Sequence, residues 1–585
     1  MRYLRMLSNS VIAGALASGY LTVLFLQLNP AFPLAPGALL PLALILGAVY
    51  GANLTVAFYA LIVIRQLLAV EVLSPGWVSV RLLSWLSTMA AAGAAGVMWL
   101  NLEAFGPMLD AETTRRMMLG SLAVSACGAV FLVMALAHVG RRGGRLSATI
   151  LTTTMALSIG LPMALRGPGV TPPPVPPAAP VSVADAMDQD GRVLFVGIDG
   201  ASLDFITVAA AQGRLPNFGR LLDGGAAMHL ATLSPTQAEP VWTAVATGRL
   251  PMASGVRSSA RYFAGPAAPA IDLLPDYCFA RALVRFGFLR EEPHTPASLR
   301  ARPVWEILSG LGVPVGAIGW PLTHPAPPVN GYLVSDELHR LPEARRALDG
   351  ADAVHPPGLL GMLPDITAWP LAVDPFAVIS TLGDPPAGDV DARADPSPIV
   401  ADRLHLQILE LMELRAPVRF VGVRLPGLDA VAHYYLRYAT PQPFGDVTEE
   451  ERQQWGRVLD EYYGVFDAVI GRLMAALGPE DLLLVVSPYG MEPLSPGKRV
   501  LERVFGNPRV SGSHEQAPDG FLLAYGAAVA PRRLPRASVL DVTPTLLYYL
   551  GLPIGRDMDG FARTDVFTGS FTEAVPLTFI PSYGR

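Results

Sequence analysis

A carboxylate and an imidazole stand four residues apart after an apolar run in the second half of the chain. Residues 426–433 read Pro-Gly-Leu-Asp-Ala-Val-Ala-His and contain Asp429 and His433. On the first turn of a helix this spacing points both side chains the same way, as a metal ion requires. His514 follows a Ser-Gly-Ser run just before another apolar segment. Two imidazoles and one carboxylate make a typical open zinc site, which leaves a position for water or substrate.

Two other apolar runs end in residues that bear on this site. Residues 193–198 are continuously apolar and are followed by Asp199 and a glycine, the pattern of a strand buried on both faces. Residues 482–486 form a similar run, followed by Ser487, Pro488 and Tyr489. A metal site would need Asp and His where Pro488 and Tyr489 stand. Whether the protein is an enzyme depends on this conflict.

Strands and helices alternate through the last two thirds of the chain. The pattern predicts helices at 401–414 and 456–477, and an α/β fold with a mostly parallel central sheet flanked by helices. Ligands of such folds bind at the carboxyl ends of the strands, where Asp199, Asp429 and Ser487 are expected. The predicted strands cover residues 193–198, 313–318, 332–335, 418–423, 482–487 and 520–525.

The first third of the chain is too apolar for a water-soluble domain. The whole chain is 51% hydrophobic and 16% charged, with a mean hydropathy of +0.39, and the excess lies before residue 166. This predicts an all-α transmembrane domain of five spans. A sixth span is possible if the long second segment forms a hairpin around residues 50–53. The apolar segments are 8–28, 36–68, 77–102, 117–139 and 147–165.

Basic residues predict the orientation of these spans. The N-terminus and the connections expected on the cytoplasmic side carry the arginines used for this prediction, whereas the first connection is uncharged and the third contains acidic residues beside Arg115 and Arg116. Five spans would place the C-terminal domain outside, in the periplasm of a bacterium whose inner membrane holds the protein; a sixth would reverse this. The arginines are Arg2, Arg5, Arg65, Arg81, Arg141, Arg142 and Arg145.

The composition suggests three regions along the chain. Residues 1–166 form the transmembrane domain, residues 167–190 a Pro-rich linker of semi-rigid polyproline II, and residues 191–585 the α/β domain. The formal net charge is -6 and no basic, aromatic-interleaved patch occurs, so nucleic acid is not an expected partner. The expected partners are the lipid bilayer and a ligand of the α/β domain.

The order of these motifs resembles the type I phosphodiesterase/nucleotide pyrophosphatase branch of the alkaline phosphatase superfamily. The resemblance runs from about residue 192 to residue 585, and no single segment in it is specific alone. Besides the residues already named, it includes Leu-Pro-Asn-Phe at 215–218, Trp-Thr-Ala-Val-Ala-Thr-Gly-Arg-Leu-Pro at 242–251, Asp-Val-Thr-Pro-Thr at 541–545 and Gly-Arg-Asp-Met-Asp-Gly at 555–560.

The resemblance implies a two-zinc site around a Thr or Ser nucleophile, in which one metal activates the hydroxyl and the other holds the phosphoryl oxygen. The first metal position keeps Asp429, His433 and His514. The second keeps only Asp199, because Pro488 and Tyr489 replace its other two ligands, and proline has no ligand atom. The implied cofactor is therefore zinc, as one ion or none.

The resemblance also places the nucleophile at a residue that cannot attack phosphorus. That position is Ala238, four residues before Trp242. Thr236 and Glu239 are the nearest candidates, and both are out of register. Glu239 precedes a proline at an expected helix start, where its charge suits the helix dipole and could contact a cation.

Two functions stay open at the level of the sequence. The first is a membrane-anchored phosphodiesterase or phosphoryl-group transferase with a degraded two-metal site, acting on phosphate esters or phosphorylated envelope components. The second is a catalytically inactive relative that binds a phosphorylated small molecule, lipid or glycan, or a partner protein.

Overall fold

A computed structural model describes residues 2–68, 78–137, 144–169, 174–181, 191–341, 350–375, 397–505, 509–514 and 516–585. The chain divides into a membrane unit, Met1–Pro173 with Ala260–Pro293, and a sheet unit, Pro174–Ser259 with His294–Arg585. Arg141 and Arg142, which carry part of the predicted orientation, lie outside the described residues. So do residues 170–173 and 182–190 of the predicted linker.

The membrane unit is built from long apolar helices. Five helical runs among the described residues are long and apolar enough to cross a membrane, which confirms the predicted all-α region of about five spans. The helices are α1 Arg2–Leu28, α2 Pro36–Leu46, α3 Ala52–Leu68, α4 Val80–Phe105, α5 Ala111–Leu136 and α6 Arg145–Arg166.

The second span is one continuous helical run. A π-helical turn, Gly47–Gly51, joins α2 to α3, so residues 50–53 do not form a hairpin. Hydroxyl groups within the helices donate to carbonyl oxygens of the preceding turn, as Ser84 does to Val80 (2.7 Å). Such bonds satisfy polar side chains where lipid offers no hydrogen-bond partner.

The sheet unit is organised around a ten-stranded sheet in the described part of the chain. Its order is β13-β2-β12-β9-β1-β8-β5-β6-β7, with β14 beside β2. The five strands from β9 to β6 pair in parallel, which confirms the predicted mostly parallel sheet. The strands are β1 Val193–Ile198, β2 Ala226–Ala231, β3 Ala260–Phe263, β4 Arg290–Pro293, β5 Val315–Trp320, β6 Gly331–Ser335, β7 Val354–His355, β8 Phe420–Leu425, β9 Leu482–Tyr489, β10 Glu492–Pro493, β11 Gly512–Ser513, β12 Asp519–Tyr525, β13 Arg532–Arg533, β14 Ala537–Ser538, β15 Ile554–Gly555 and β16 Phe579–Ile580.

Continuous apolar runs form these strands because both faces of the sheet are covered. Along β1, Leu194, Val196 and Ile198 enter one hydrophobic core, whereas Val193 and Phe195 enter the other. Helices supply the opposite wall of each core. The helices of the sheet unit are Leu203–Ala211, Pro216–Gly224, Ala238–Thr247, Pro251–Ser254, Val304–Gly310, Leu363–Ala368, Ser397–Arg415, Gly427–Ala439, Glu449–Trp455, Val458–Ala476, Pro496–Phe505, Val542–Tyr549 and Gly569–Ala574.

The hairpin β3–β4 belongs to the membrane unit although it interrupts the sheet unit in sequence. Its connection contains a short helix, Arg281–Arg285. Tyr262 and Leu283 of this excursion share a hydrophobic cluster with Phe25 and Leu42 of the membrane helices. No pattern in the sequence predicted that residues 260–293 would group with the spans.

Candidate metal and phosphate site

Three of the predicted metal ligands meet beyond the carboxyl end of β8. The helix Gly427–Ala439 begins two residues after this strand, so Asp429 lies on its first turn and His433 one turn later on the same face. His514 directly follows β11. Ligand atoms of the three side chains lie within 4.8 Å of one another.

Hydrogen bonds to the backbone orient this cluster. Nδ1 of His433 lies 2.8 Å from the carbonyl oxygen of Gly512, which can only accept, so Nε2 turns toward Asp429 Oδ2 at 3.4 Å. The backbone N–H of Ser511 donates to the His433 carbonyl (2.7 Å) and ties the His514 loop to the helix. His514 Nε2 is 3.8 Å from Asp429 Oδ1.

The cluster has the chemistry of a metal site. Asp429 Oδ1 and His514 Nδ1 are buried atoms without a hydrogen-bond partner in the described part of the protein. Burial raises the pKa of Asp429, but the hydrogen bond and charge of His433, together with the charges of His514 and Arg424, outweigh burial and leave this pKa lowered. Burial lowers the pKa of His433, but Asp429 outweighs it and raises this pKa. A carboxylate with two imidazoles and unsatisfied buried atoms fits a zinc ion.

Asp199 is the fourth predicted ligand, and the structure pairs it with a cation of the protein itself. The guanidinium of Arg424 donates from Nε to Asp199 Oδ1 (3.1 Å) and from Nη2 to Oδ2 (2.5 Å). Trp242 Nε1 donates to Oδ1 (2.7 Å), and the Tyr489 hydroxyl donates to Oδ2 (3.2 Å). Four donors thus occupy the two oxygens of a carboxylate that is 2% exposed.

Two glycines make room for the aromatic side chains beside this pair. A Cβ atom on Gly197 of β1 would lie 2.4 Å from the Trp242 ring, and one on Gly422 of β8 would lie 3.1 Å from Trp320 Nε1. The indole of Trp242 therefore rests on the sheet, and its N–H reaches Asp199. Arg424 Cζ lies 5.9 Å from the centre of the Trp242 ring.

The charges around Arg424 favour its ionised form. Burial lowers the pKa of the Arg424 guanidinium, but the charge of Asp199 and its hydrogen bonds outweigh burial and raise this pKa. Burial raises the pKa of the Tyr489 hydroxyl, so this group stays a neutral donor. Burial raises the pKa of Asp336 to about 7 and also raises the pKa of Glu239, although Arg424 opposes both shifts.

The residues present do not fit a second metal ion. Strand β9 runs through Tyr489, which places Pro488 within the strand. The Tyr489 hydroxyl already donates to Asp199, and the Ser487 hydroxyl donates to the Tyr489 carbonyl oxygen (2.9 Å). The guanidinium of Arg424 supplies the positive charge that a metal ion would otherwise bring to the carboxylate of Asp199.

The position expected for a nucleophile carries no reactive group. The helix Ala238–Thr247 begins at Ala238, whose side chain packs against the second hydrophobic core. Thr236 is 2% exposed, and its hydroxyl donates to the Leu233 carbonyl oxygen (2.8 Å). Glu239 follows on the first turn of the helix and is partly buried.

Arg424 and Trp242 complete the site, and sequence reasoning assigned neither of them a role there. One charged residue near the end of an apolar strand looks like a solvent-facing side chain. The alternation of side chains along β8 was the available signal. Phe420, Gly422 and Arg424 lie on one face of the strand, and Val421 and Val423 on the other. Because Phe420 faces the core that contains Trp242, Arg424 is expected on the same side.

Comparison with known proteins gives the family. A family model described as type I phosphodiesterase/nucleotide pyrophosphatase matches residues 193–534, more than half of the chain. The curated proteins contain no match.

Among solved structures, murine ectonucleotide pyrophosphatase/phosphodiesterase 5, an inactive variant in complex with AMP, is 13% identical, with a TM-score of 0.38. The alignment covers 65% of this chain and 100% of the murine chain. The human protein of the same name is 12% identical, with a TM-score of 0.37, covering 65% and 100%. On the family match, this chain belongs to the type I phosphodiesterase/nucleotide pyrophosphatase family of the alkaline phosphatase superfamily.

Proposed function

We propose that this protein is a membrane-anchored member of its family that binds a phosphorylated ligand at a single metal ion and lacks the two-metal nucleophilic mechanism. The observation that carries the proposal is the saturated carboxylate of Asp199. Its oxygens accept from Arg424, Trp242 and Tyr489 and are not free to bind a second metal.

The single ion would be held by Asp429, His433 and His514, and zinc suits these donors. When bound, the ion supplies positive charge to a phosphoryl oxygen. Arg424 lies on β8, the strand that leads into the cluster, but its guanidinium is already paired with Asp199. The bound ion would therefore be the main positive charge that the site offers to a phosphoryl group.

Loss of turnover follows from the nucleophile position. Ala238 cannot attack phosphorus, and the Thr236 hydroxyl is turned toward the Leu233 carbonyl. Glu239 carries a carboxylate instead of a hydroxyl. A ligand bound at the metal would therefore meet no hydroxyl nucleophile at the position where the family mechanism uses one.

The ligand class follows from the anchoring of the domain. Five candidate spans hold the chain in a membrane, and the arginine distribution predicts a bacterial inner-membrane protein with a periplasmic C-terminal domain. A phosphorylated lipid, glycan or small molecule of the envelope would be accessible there.

A second candidate function is slow hydrolysis of phosphate esters by water. Glu239 favours it, because burial raises the pKa of this carboxyl group and the residue adjoins the nucleophile position. A carboxylate with a raised pKa is suited to accept a proton from attacking water.

The test uses the full-length protein in detergent, with zinc titrated by calorimetry and turnover measured on bis(p-nitrophenyl) phosphate and p-nitrophenyl phosphate. We expect one zinc ion per chain, zinc-dependent binding of inorganic phosphate, and almost no turnover. His514→Ala should abolish both binding events, whereas the control His229→Ala, a partly exposed histidine of β2, should retain them.

The same assay separates the alternatives. Zinc-dependent turnover that survives Thr236→Val but is lost in both His514→Ala and Glu239→Gln would establish the second function. Turnover lost in Thr236→Val would contradict both proposals, because it would identify Thr236 as a nucleophile. Two zinc ions per chain would contradict the single-metal site.

A further inference from the structure

The excursion at residues 260–293 presents two opposite sets of apolar side chains. The inner set includes Tyr262, Leu283 and Leu289, which are at most 3% exposed and pack in one cluster with Phe25 and Leu42 of the membrane helices. This set is fully used in holding the excursion on the spans. The outer set has no such partner in the described part of the chain.

Two asparagines hold the excursion at the ends of two spans. Asn29 follows α1; its Nδ2 donates to the Leu273 carbonyl (2.8 Å) and its Oδ1 accepts from the backbone N–H of Asp272 (2.9 Å). Asn101, in the last turns of α4, accepts from the backbone N–H of Asp276 (2.8 Å) and donates to its carbonyl (2.9 Å).

These bonds place the excursion at a defined depth. Because α1 and α4 belong to the first and third spans, they cross the membrane in the same direction and end at the same face. Asn29 and Asn101 are therefore at one membrane boundary. Residues 272–276, which they bind, lie at that boundary too.

The outer set consists of large aromatic side chains within twelve residues. Tyr277 is 51% exposed, Phe279 71%, Phe286 72% and Phe288 45%. Single exposed aromatic residues need no explanation, but a group of four does. The exposed side chain of Arg281 stands among them.

The backbone adopts a rare conformation to display two of these rings. Tyr277 and Phe279 have φ angles of 61° and 58°, in the left-handed region that disfavours bulky side chains. Cys278 between them is buried in the inner cluster. The turn thus directs one side chain inward and two outward.

We propose that residues 277–288 lie in the lipid–water interface of the leaflet at which α1 and α4 end, with the four aromatic rings among the headgroups and upper acyl chains. Aromatic rings with interleaved arginines are typical of segments at this depth, where an apolar ring and a charged group are both satisfied. The excursion would fix the height of the membrane unit in the bilayer.

The test measures the depth of labels on the full-length protein in phosphatidylcholine vesicles. Phe279→Cys and Phe286→Cys are made in a Cys127→Ala/Cys278→Ala background and labelled with an NBD fluorophore. We expect loss of fluorescence with lipids that carry a nitroxide near the headgroup, and a smaller loss when the nitroxide is deep. A second set retains buried Cys278, with labelling of the parent protein subtracted, in case its removal disturbs the fold.

Two control positions calibrate the result. Phe561→Cys, on the sheet unit and 77% exposed, should not be quenched by either lipid. Leu122→Cys, near the middle of the fourth span and 48% exposed, should be quenched by the deep nitroxide. Quenching at 279 and 286 that matches position 561 would overturn the proposal, and so would stronger quenching by the deep probe. A blue-shifted label that no lipid quenches would indicate a protein partner and would also overturn it.

Discussion

The two halves of the candidate site use a carboxylate at the end of a parallel strand in opposite ways. Asp429 has one oxygen without a hydrogen-bond partner in the described residues and two imidazoles beside it. Asp199 has four donors on its two oxygens, and one donor group carries a full positive charge. The first half is prepared for an ion from solution, whereas the second already contains its cation.

The difference shows that a ligand residue is not sufficient for a metal site. A carboxylate offers lone pairs to a metal only if the protein leaves them unsatisfied. Asp199 stands at a position where the family motif has a metal ligand. Arg424, one strand away, decides what that carboxylate can bind.

Replacing Arg424 by methionine should have the largest effect. The change leaves the Asp199 carboxylate buried without its cation, which costs about 3–5 kcal/mol of unfolding free energy. Thermal unfolding of the detergent-solubilised protein measures the loss. Arg424→Met combined with Asp199→Asn should recover much of it, because no charge is then buried alone. Equal stability of Arg424→Met and the parent would contradict the ion pair.

Neutralising each carboxylate should separate the two halves directly. Asp429→Asn removes a ligand and should weaken zinc binding by more than about 100-fold. Loss of a residue that only supports a ligand weakens metal binding by at most about 100-fold, so a larger loss identifies a ligand. Asp199→Asn combined with Arg424→Met, which leaves no charge buried alone, is the matched control and should leave zinc affinity nearly unchanged. Calorimetric titration with zinc measures the affinity of each variant. If both variants lose zinc equally, Asp199 is a ligand and the two halves act as one site.

Tyr489→Phe should have a smaller effect confined to the second half. The substitution keeps the ring and removes one hydrogen bond to a charged carboxylate, worth about 1.5 kcal/mol of stability. Zinc affinity should not change, although the Tyr489 and His514 rings lie 5.0 Å apart. A loss of zinc binding in this variant would indicate that Tyr489 supports the metal cluster.

Thr236→Val should have the smallest effect. Valine keeps the shape of threonine and removes the hydroxyl that donates to Leu233, at a cost of about 1 kcal/mol of stability. Any residual phosphoesterase rate should stay the same. A rate that falls by orders of magnitude would show that Thr236 takes part in the chemistry.

The fold could be predicted from the sequence because its strands are covered on both faces. Continuous apolar runs at 193–198 and 482–486 identify β1 and β9, and span lengths identify the membrane helices. Strand β2, Ala-Ala-Met-His-Leu-Ala, which lies between β12 and β13, has no such signal and was not predicted. The grouping of residues 260–293 with the spans was also missed, because it depends on long-range hydrogen bonds from Asn29 and Asn101.

The site could be predicted only in part for a related reason. Asp429 and His433 are one helical turn apart, so local geometry brings them together, and the family motif adds His514. The bond between Arg424, on β8, and Asp199, directly after β1, joins residues 225 positions apart. A sequence reveals that a motif residue is present, but it does not reveal a partner that satisfies the residue from elsewhere in the chain.

The pairing of Arg424 with Asp199 also limits which substitutions could change the metal content of this site. Introducing Asp at position 488 or His at position 489 one at a time would bring no second metal, since Arg424 would still neutralise Asp199. Losing Arg424 first would leave a buried charge alone, at a cost of about 3–5 kcal/mol. No single substitution at these positions would therefore free Asp199 for a metal ion without leaving a buried charge unpaired. At least two coordinated substitutions, one of them at Arg424, would be needed to build a second metal site here.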